Sequence, residues 1–224
     1  MPDIIGPLAL DGPVASGKSS VGRTLANRLN WVFADTGLMY RAIGYLMIHH
    51  DIESSDSKYL SEIAYKANID ISDEKVILNG ENITAHIRSP KVANSASIAA
   101  ESSEIRTLMV EQQRKIAANT NGKIVMVGRD ITSIVIPDAP FRFFLDASSS
   151  VRAKRRLTEQ MATNPNLSIS EVKKAIDNRD RRDTEREISP LRLSSGTRLI
   201  NTEDLSLNAV VDKIMGLIEN SKTS

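Results

Sequence analysis

The chain has 224 residues, of which 41% are hydrophobic and 25% are charged, as is typical of a soluble globular protein with one sizeable core. Its 29 basic and 28 acidic side chains nearly cancel and only 4% of residues are aromatic, which argues against a base-stacking surface for nucleic acid. The chain has no cysteine, so disulfides, thiolate metal sites and cysteine nucleophiles are excluded. It shows neither a signal-peptide pattern nor an apolar run of roughly 18 residues. We therefore expect a soluble, cytoplasmic protein that binds neither nucleic acid nor a membrane.

Strands and helices alternate along most of the chain, which predicts an α/β fold with a parallel sheet and helices on both faces. The elements predicted in chain order are a strand at 4–10, a helix at 19–29, a strand at 31–34, helices at 39–49, 57–66 and 91–117, strands at 123–127 and 141–145, a basic helix from 149, a strand at 197–201 and a helix at 207–219. Each candidate site follows the carboxyl end of a strand, where such sheets bind ligands.

The strongest single signal is the segment 12–19, Gly-Pro-Val-Ala-Ser-Gly-Lys-Ser, a complete G-x-x-x-x-G-K-[ST] phosphate loop between a strand and a helix. Glycines let backbone N–H groups surround a polyphosphate, and the helix N-terminus adds partial positive charge. We expect Lys18, an exposed loop cation, to reach the β and γ phosphates of ATP and the Ser19 hydroxyl to ligate Mg²⁺. Asp11 and Asp35 are candidates for water-mediated contacts with that metal. The predicted ATP-binding residues are Gly12, Pro13, Val14, Ala15, Ser16, Gly17, Lys18, Ser19 and Ser20.

The alternating pattern breaks between about residues 68 and 100. Residues 69–72 and 75–78 are typical of strands on either side of Asp73 and Glu74, and Asn79-Gly80 is a strong hairpin signal before residues 81–84. These residues predict a small antiparallel sheet inserted into the parallel one.

Ten basic side chains lie between Arg152 and Arg186. A run of this kind is most often a solvated helix face. In a phosphate-binding protein it also suits a lid over the reacting groups, with Asn164-Pro165-Asn166 as a mobile connection between two helices.

Phosphate-loop proteins include switches, motors and small-molecule kinases. The guanine-reading Asn/Thr-Lys-x-Asp of a GTPase does not occur here. A small kinase needs an acceptor pocket and cations around the transferring group, and Asp35-Thr36-Gly37, Tyr40-Arg41, Gly128-Arg129-Asp130 and the basic run provide such groups. Two alternatives stay open: a kinase for another acceptor, such as UMP, AMP or a shikimate-like hydroxyl compound, and a phosphate-loop binding protein without turnover.

These motifs together resemble the bacterial-type cytidylate kinases of the nucleoside monophosphate kinase group. They follow the family order from Leu8 to about Thr202 and comprise Gly12-Pro13…Gly17-Lys18-Ser19, Asp35-Thr36-Gly37-x-x-Tyr40-Arg41, Val92-Ala93-Asn94-Ser95-Ala96-Ser97, Gly128-Arg129-Asp130, Pro137-Asp138-Ala139-Pro140, Arg179-Asp180-x-Arg182-Asp183-x-x-Arg186 and Pro190-Leu191. The resemblance implies one domain over 1–224, with a phosphate-loop core, a monophosphate-binding insert at about 36–117 that contains the antiparallel sheet, and an Arg-rich helical lid at about 151–188.

The resemblance further implies transfer of a phosphoryl group from ATP to CMP or dCMP with Mg²⁺ as cofactor. It assigns Ser97, Arg106 and Asp130 to the cytosine edge, Arg179 and Asp183 to the sugar, and Arg41, Arg129 and Arg186 to the acceptor phosphate. Thr36 and Tyr40 complete the implied CMP-binding set, and Lys18, Arg129, Arg182 and Arg186 form the catalytic set. Three departures are Thr36, where the family commonly has serine, Ala15-Ser16, where it often has Gly-Ala, and Thr132, where glycine is usual. We expect a monomer because the sequence has no long exposed apolar stripe or heptad.

Overall fold

The computed structural model describes residues 6–53, 56–72, 75–161 and 164–220. The strands in these ranges are β1 (Leu8–Asp11), β2 (Val32–Asp35), β3 (Ile69–Ser72), β4 (Lys75–Leu78), β5 (Glu81–Asn82), β6 (Ile124–Val127), β7 (Phe141–Asp146) and β8 (Arg198–Asn201). The α-helices are α1 (Lys18–Leu29), α2 (Thr36–His49), α3 (Ser57–Lys66), α4 (Pro90–Ala99), α5 (Ser103–Ala118), α6 (Ser149–Gln160), α7 (Ile169–Glu185) and α8 (Leu207–Asn220). None of the helices in the described ranges is long and apolar enough to cross a bilayer.

The main sheet contains five parallel strands in the order β2–β6–β1–β7–β8. Strand β1 lies at the centre of the sheet, where it pairs with β6 on one side and with β7 on the other. In sheets of this kind, the crevice at the carboxyl end of such a central strand is the usual ligand site. The residue that follows β1 is Gly12, the first residue of the phosphate loop.

Side chains of the central strands alternate between two apolar layers. Leu8 and Leu10 pack with α1 and α8, whereas Ala9 between them lies in the opposite cluster with Met126 and with Ala117 of α5. A strand buried on both faces needs apolar residues at every position, which is why β1 and β6 are continuous apolar runs up to Asp11. The predicted parallel sheet with helices on both faces is confirmed.

The insert forms a second apolar core of its own. Strands β3, β4 and β5 make an antiparallel sheet, as predicted, and its inner face packs with α2, α3, α4 and α5. Helices α2 and α4 approach closely at Gly44, where a Cβ would lie 2.6 Å from Ala96 N and 2.8 Å from Val92 O. The predicted turn at Asp73 and Glu74 lies outside the described residues.

The predicted helix 91–117 is wrong in one respect, because the structure divides it into α4 and α5. Helix α4 ends at Ala99, and Ser102 then starts α5 by accepting a hydrogen bond from Ile105 N at 3.3 Å. A serine N-cap followed by an acidic first turn is a helix start signal that the apolar periodicity obscured. A short π-helical turn at Ile131–Val135, directly after β6, was also not predicted.

Helices α6 and α7, together called the basic helix pair below, pack on the phosphate loop. Ala153, Val172 and Ile176 form a small buried cluster against Val14 and Ala15 of that loop. Helix α7 begins with a capping box in which Ser168 and Glu171 bond each other's backbone N–H groups. The basic helix pair is therefore packed against the phosphate loop. Residues 162 and 163, in the connection between the two helices, lie outside the described ranges.

Two helical glycines provide a test of this packing. We predict that Gly44→Ala destabilises the protein by about 1–3 kcal/mol, because its methyl group would meet backbone atoms of α4 that cannot move independently. Gly216→Ala in α8 is the matched control, since its Cβ would meet open space and alanine favours a helix by up to about 1 kcal/mol. Urea unfolding of both variants measures the difference, and equal stabilities would contradict the close approach of α2 and α4.

Candidate active site

The phosphate loop is shaped by two glycines at its ends. Gly12 has φ of 148°, and a Cβ there would lie 2.1 Å from Leu145 O, so the loop passes against β7 too closely for any side chain. Gly17 has φ of 94° and precedes α1, whose N-terminus therefore opens directly onto the loop. The structure thus contains the strand, loop and helix that a polyphosphate site requires.

Lys18 folds back across this loop. Its Nζ donates to Pro13 O at 2.6 Å and to Ser16 Oγ at 3.2 Å. The side chain is only 6% exposed, so the expectation of an exposed loop cation is wrong. Burial, and then the charge of Arg129, lower the pKa of this ammonium well below its usual value. Anionic ligands beside it would restore the charged form.

Ser19 and Asp35 come together at the carboxyl ends of β1 and β2. The Ser19 hydroxyl donates to Asp35 Oδ2 at 2.6 Å, and Asp35 Oδ1 accepts from Gly37 N at 3.0 Å and so caps α2. A hydroxyl beside a carboxylate provides hard oxygen ligands of the kind that Mg²⁺ prefers when nucleotide phosphates complete its shell. Within the described residues, no group of three or more His, Cys, Asp or Glu side chains could hold a metal by itself.

Asp11 has a different environment from Asp35. Its carboxylate is fully buried and accepts hydrogen bonds from Ile131 N at 2.9 Å, Thr132 N at 2.7 Å and Thr132 Oγ1 at 2.7 Å. Burial raises its pKa to about 6, although these hydrogen bonds oppose that rise. Asp11 therefore anchors the turn after β6. A threonine at position 132 suits this turn, because its hydroxyl forms hydrogen bonds with both Asp11 and, at 2.9 Å, Ser194 Oγ.

Four guanidinium groups from three segments meet beside the loop, and we call Arg41, Arg129, Arg179 and Arg186 the arginine cluster. Arg129 Nε donates to Asp183 Oδ2 at 2.8 Å, and Arg186 Nη1 lies 4.0 Å from Asp183 Oδ1. Arg41 Nη1 donates to Ile87 O at 2.7 Å. The sequence predicted all of these residues, and the fold brings them together.

The electrostatics of the arginine cluster are those of crowded cations. Burial, followed by the charge of Arg129, lowers the pKa of Arg179 to about 10. Burial and neighbouring arginines also lower the pKa values of Arg41 and Arg186. Burial on its own would raise the pKa of Asp183, but Arg129, Arg179 and Arg186 outweigh it and hold this pKa below its usual value. The cluster has an excess of positive charge that a phosphate group would neutralise.

The basic helix pair contributes two further arginines whose individual roles the sequence did not indicate. Arg152 is buried, forms an ion pair with Asp180 at 2.6 Å and donates to Val14 O at 3.1 Å, so it ties α6 and α7 to the phosphate loop. Arg156 is close enough to act on the pKa values of both Arg41 and Arg179. Both arginines lie in the run of basic residues, but the packing of α6 directs Arg152 to the phosphate loop and Arg156 to the arginine cluster.

A second group of polar residues is buried between α2, α5 and the end of β6. Arg106 and Asp130 form an ion pair whose side chains are 2% and 6% exposed, and the Arg106 guanidinium carbon lies 5.5 Å from the centre of the Tyr40 ring. Burial raises the pKa of Tyr40 to about 12. Ser97 Oγ, Tyr40 Oη and Arg106 Nε are buried without a hydrogen-bond partner in the part of the chain that the structure describes. Buried groups of this kind require a polar partner.

Two predicted site residues make other contacts. The Thr36 hydroxyl is buried and donates to Val127 O at 2.9 Å, so Thr36 fastens α2 to β6, and its CMP-binding role stays a prediction. Arg182 Nη2 donates to Asn94 Oδ1 of α4 at 2.9 Å and is not part of the arginine cluster as defined above, and its catalytic role stays a prediction. Neighbouring positions on α7 face different elements because each residue turns the helix by about 100°.

Sequence reasoning also missed Gln113 on α5. It is 1% exposed, and neither Oε1 nor Nε2 has a hydrogen-bond partner among the described residues. It follows Arg106 by seven residues and therefore lies on the same face of α5.

Comparison with known proteins agrees with this geometry. A family model described as cytidylate kinase matches residues 8–220. A cytidylate kinase from Caldanaerobacter subterraneus is 39% identical over 214 residues, covering 96% of this chain and 95% of the relative. One from Clostridium botulinum is 38% identical over 212 residues, covering 95% and 97%.

The chain belongs to the cytidylate kinase family.

Solved structures of low sequence identity support the fold alone. A gluconokinase from Sinorhizobium meliloti has a TM-score of 0.51 at 15% identity, with 98% of this chain and 97% of the gluconokinase covered. An uncharacterized protein from Eubacterium ventriosum has a TM-score of 0.52 at 15% identity, with 96% and 98% covered. This chain therefore shares its overall architecture with proteins of much lower sequence identity.

We predict that Asp183→Asn costs about 3 kcal/mol of stability at pH 7, because it removes the carboxylate that compensates buried guanidiniums. Asp212→Asn is the matched control and should cost less than about 1 kcal/mol, since Asp212 pairs with Arg28 at an exposed site. Denaturant unfolding at pH 7 measures both effects. Equal losses would contradict the electrostatic account of the cluster.

The cost of Asp183→Asn should also depend on pH. The pKa of Asp183 is lowered in the folded protein, so its stabilising effect is present above the unfolded-state value of about 4. It is lost as the pH falls through the lower folded-state pKa. The difference between the wild type and Asp183→Asn should therefore narrow below about pH 4, and widening there would contradict the lowered pKa.

Proposed function

We propose that this protein transfers the γ-phosphoryl group of ATP to CMP or dCMP, giving ADP and CDP or dCDP. The observation that carries the proposal is the buried Arg106–Asp130 pair near Arg186 of the arginine cluster, in a chain that also has a phosphate loop. This arrangement suits an acceptor with a small polar base at one end and a phosphate at the other. Membership of the cytidylate kinase family supports the same acceptor.

The base specificity follows from hydrogen-bond polarity. Cytosine has an amino donor at N4 beside acceptors at N3 and O2, whereas uracil has an acceptor at O4 and a donor at N3. The Asp130 carboxylate can accept from N4, and Arg106 can donate to N3 or O2. Ser97, whose hydroxyl is buried and unpaired among the described residues, completes the proposed base contacts.

The acceptor phosphate would bind at the arginine cluster. Arg41, Arg129 and Arg186 offer planar forks that suit phosphate oxygens, and charge-assisted bonds of this kind are about twice as strong as neutral ones. Asp183 holds Arg129 and lies near Arg186, so these groups are oriented before a ligand arrives. Arg179 and Asp183 would also hold the sugar.

The phosphate loop would hold the β and γ phosphates of ATP through its backbone N–H groups and Lys18. Ser19, with Asp35 beside it, would hold Mg²⁺, which when bound neutralises charge on the nucleotide phosphates. Phosphoryl transfer has a loose transition state, so the chain mainly aligns the two nucleotides and compensates their charge. The roles of Lys18, Arg129 and Arg186 in this account are electrostatic, and no covalent intermediate is required.

The basic helix pair would act as a lid over the transferring group. Water admitted at that moment would hydrolyse ATP, so both nucleotides need cover. Arg152 links the pair to Val14 of the phosphate loop, and Arg156 adds a cation near the arginine cluster. We place the monophosphate-binding insert at about 36–117 and the lid at about 151–188 of a single domain, in a cytoplasmic monomer that binds neither nucleic acid nor a membrane.

The test of the proposed function is an ADP-release assay with ATP, Mg²⁺ and one of CMP, dCMP, UMP or AMP. Preferred turnover of CMP and dCMP is the expected result. Preference for UMP or AMP would point to another monophosphate kinase, and nucleotide binding without turnover would point to a binding protein.

We predict that CMP is favoured over UMP in kcat/KM by up to about 10⁴, since mismatched buried polar groups give discrimination of that order. Asp130→Asn should narrow this ratio, because its amide can donate to uracil O4. Comparing two substrates on one enzyme preparation cancels any loss of folded protein. An unchanged ratio in the variant would show that Asp130 does not read the base.

A further inference from the structure

Gln113 is a buried polar residue that the proposed mechanism does not use. Its side chain is 1% exposed, and both Oε1 and Nε2 lack a hydrogen-bond partner among the described residues. On the same helix, Ile105 and Met109 are fully buried and apolar. A leucine at position 113 would avoid the unpaired amide, so packing alone does not explain a glutamine there.

The surroundings of Gln113 connect it to the base subsite, defined here as Tyr40, Ser97, Arg106 and Asp130. Gln113 follows Arg106 by two helical turns and so faces the same side of α5. Gln113 lies near enough to the Tyr40 hydroxyl to lower its pKa, although burial raises that pKa more. Tyr40 Oη itself has no hydrogen-bond partner in the described part of the chain. The Tyr40 ring in turn lies beneath the Arg106 guanidinium.

We propose that Gln113 is a positioning residue for the base subsite. Its amide oxygen accepts a hydrogen bond from the Tyr40 hydroxyl when the acceptor nucleotide is bound, which fixes the tyrosine ring against Arg106. Arg106 is then held by Asp130 on one side and by the ring on the other, with Nε directed to the base. This inference rests on the proposed function, because it takes the bound base to be cytosine.

The first test compares Gln113→Leu with Gln112→Leu, a matched change at the adjacent, half-buried glutamine. Calorimetry with CMP and with ATP, and thermal unfolding of the free enzyme, are the measurements. For Gln113→Leu we expect CMP to bind about tenfold or more weakly, ATP affinity to change less than about twofold, and Tm to stay equal or rise because an unpaired amide is lost. Gln112→Leu should match the wild type for both ligands.

The second test identifies the route through Tyr40. Tyr40→Phe keeps the ring beside Arg106 and removes only the hydroxyl, so it should weaken CMP binding as much as Gln113→Leu does. The double variant should be no worse than either single one, because both changes break the same contact.

Each contrary result overturns the inference in a distinct way. Unchanged CMP affinity in Gln113→Leu would show that Gln113 does not position the base subsite. Joint losses of CMP affinity, ATP affinity and Tm would show that Gln113 only stabilises the fold. Additive losses in the double variant would exclude action through Tyr40. Should Gln113→Leu fail to fold, wild-type CMP affinity in Tyr40→Phe would still overturn it. Failure of the wild type itself to bind CMP would overturn the proposed function as well.

Discussion

The structure depends on holding several guanidinium groups together around Asp183. Arg129 follows β6, Arg179 lies on α7, Arg186 directly follows α7, and Arg41 comes from α2, so segments from the sheet, from α2 and from the basic helix pair meet here. Burial lowers the pKa values of Arg41, Arg179 and Arg186 most, and repulsion from neighbouring arginines adds to this effect. Asp183 offsets only part of this repulsion, and a phosphate group would offset more. In the proposed function, the positive charge that opposes close packing of the arginines is also the charge that attracts the acceptor phosphate.

Two features of the fold bring the residues of this site together. Parallel strands end at one edge of the sheet, so the residues after β1, β2 and β6 become neighbours although they are far apart in sequence. Asp11 holds the turn after β6 through Ile131 and Thr132, and that turn carries Arg129 and Asp130. A buried carboxylate at the end of the central strand therefore holds the turn that carries both Arg129, proposed to bind the phosphate, and Asp130, proposed to bind the base.

Much of this arrangement was predictable because it depends on local patterns. The phosphate loop, the alternation of strands and helices, and the hairpin at Asn79-Gly80 each follow from short-range backbone preferences. The burial of Lys18, the Thr36 bond to β6 and the turn of Arg182 toward Asn94 depend on how separate elements pack, which no single segment encodes. Gln113 escaped notice because one glutamine on an amphipathic helix looks like solvent-facing surface until the three-dimensional structure shows it buried.

In the proposed function, the arginine cluster binds the phosphate of CMP, and this contact supplies most of the affinity for CMP. The most direct measurement is the ratio of the dissociation constants of cytidine and CMP, obtained by calorimetry with the wild-type protein. The two ligands share base and sugar and differ only in the phosphate that the cluster would bind. We expect CMP to bind at least about 100-fold more tightly than cytidine, since several charge-assisted hydrogen bonds are lost with the phosphate. Cytidine that binds as tightly as CMP would contradict it.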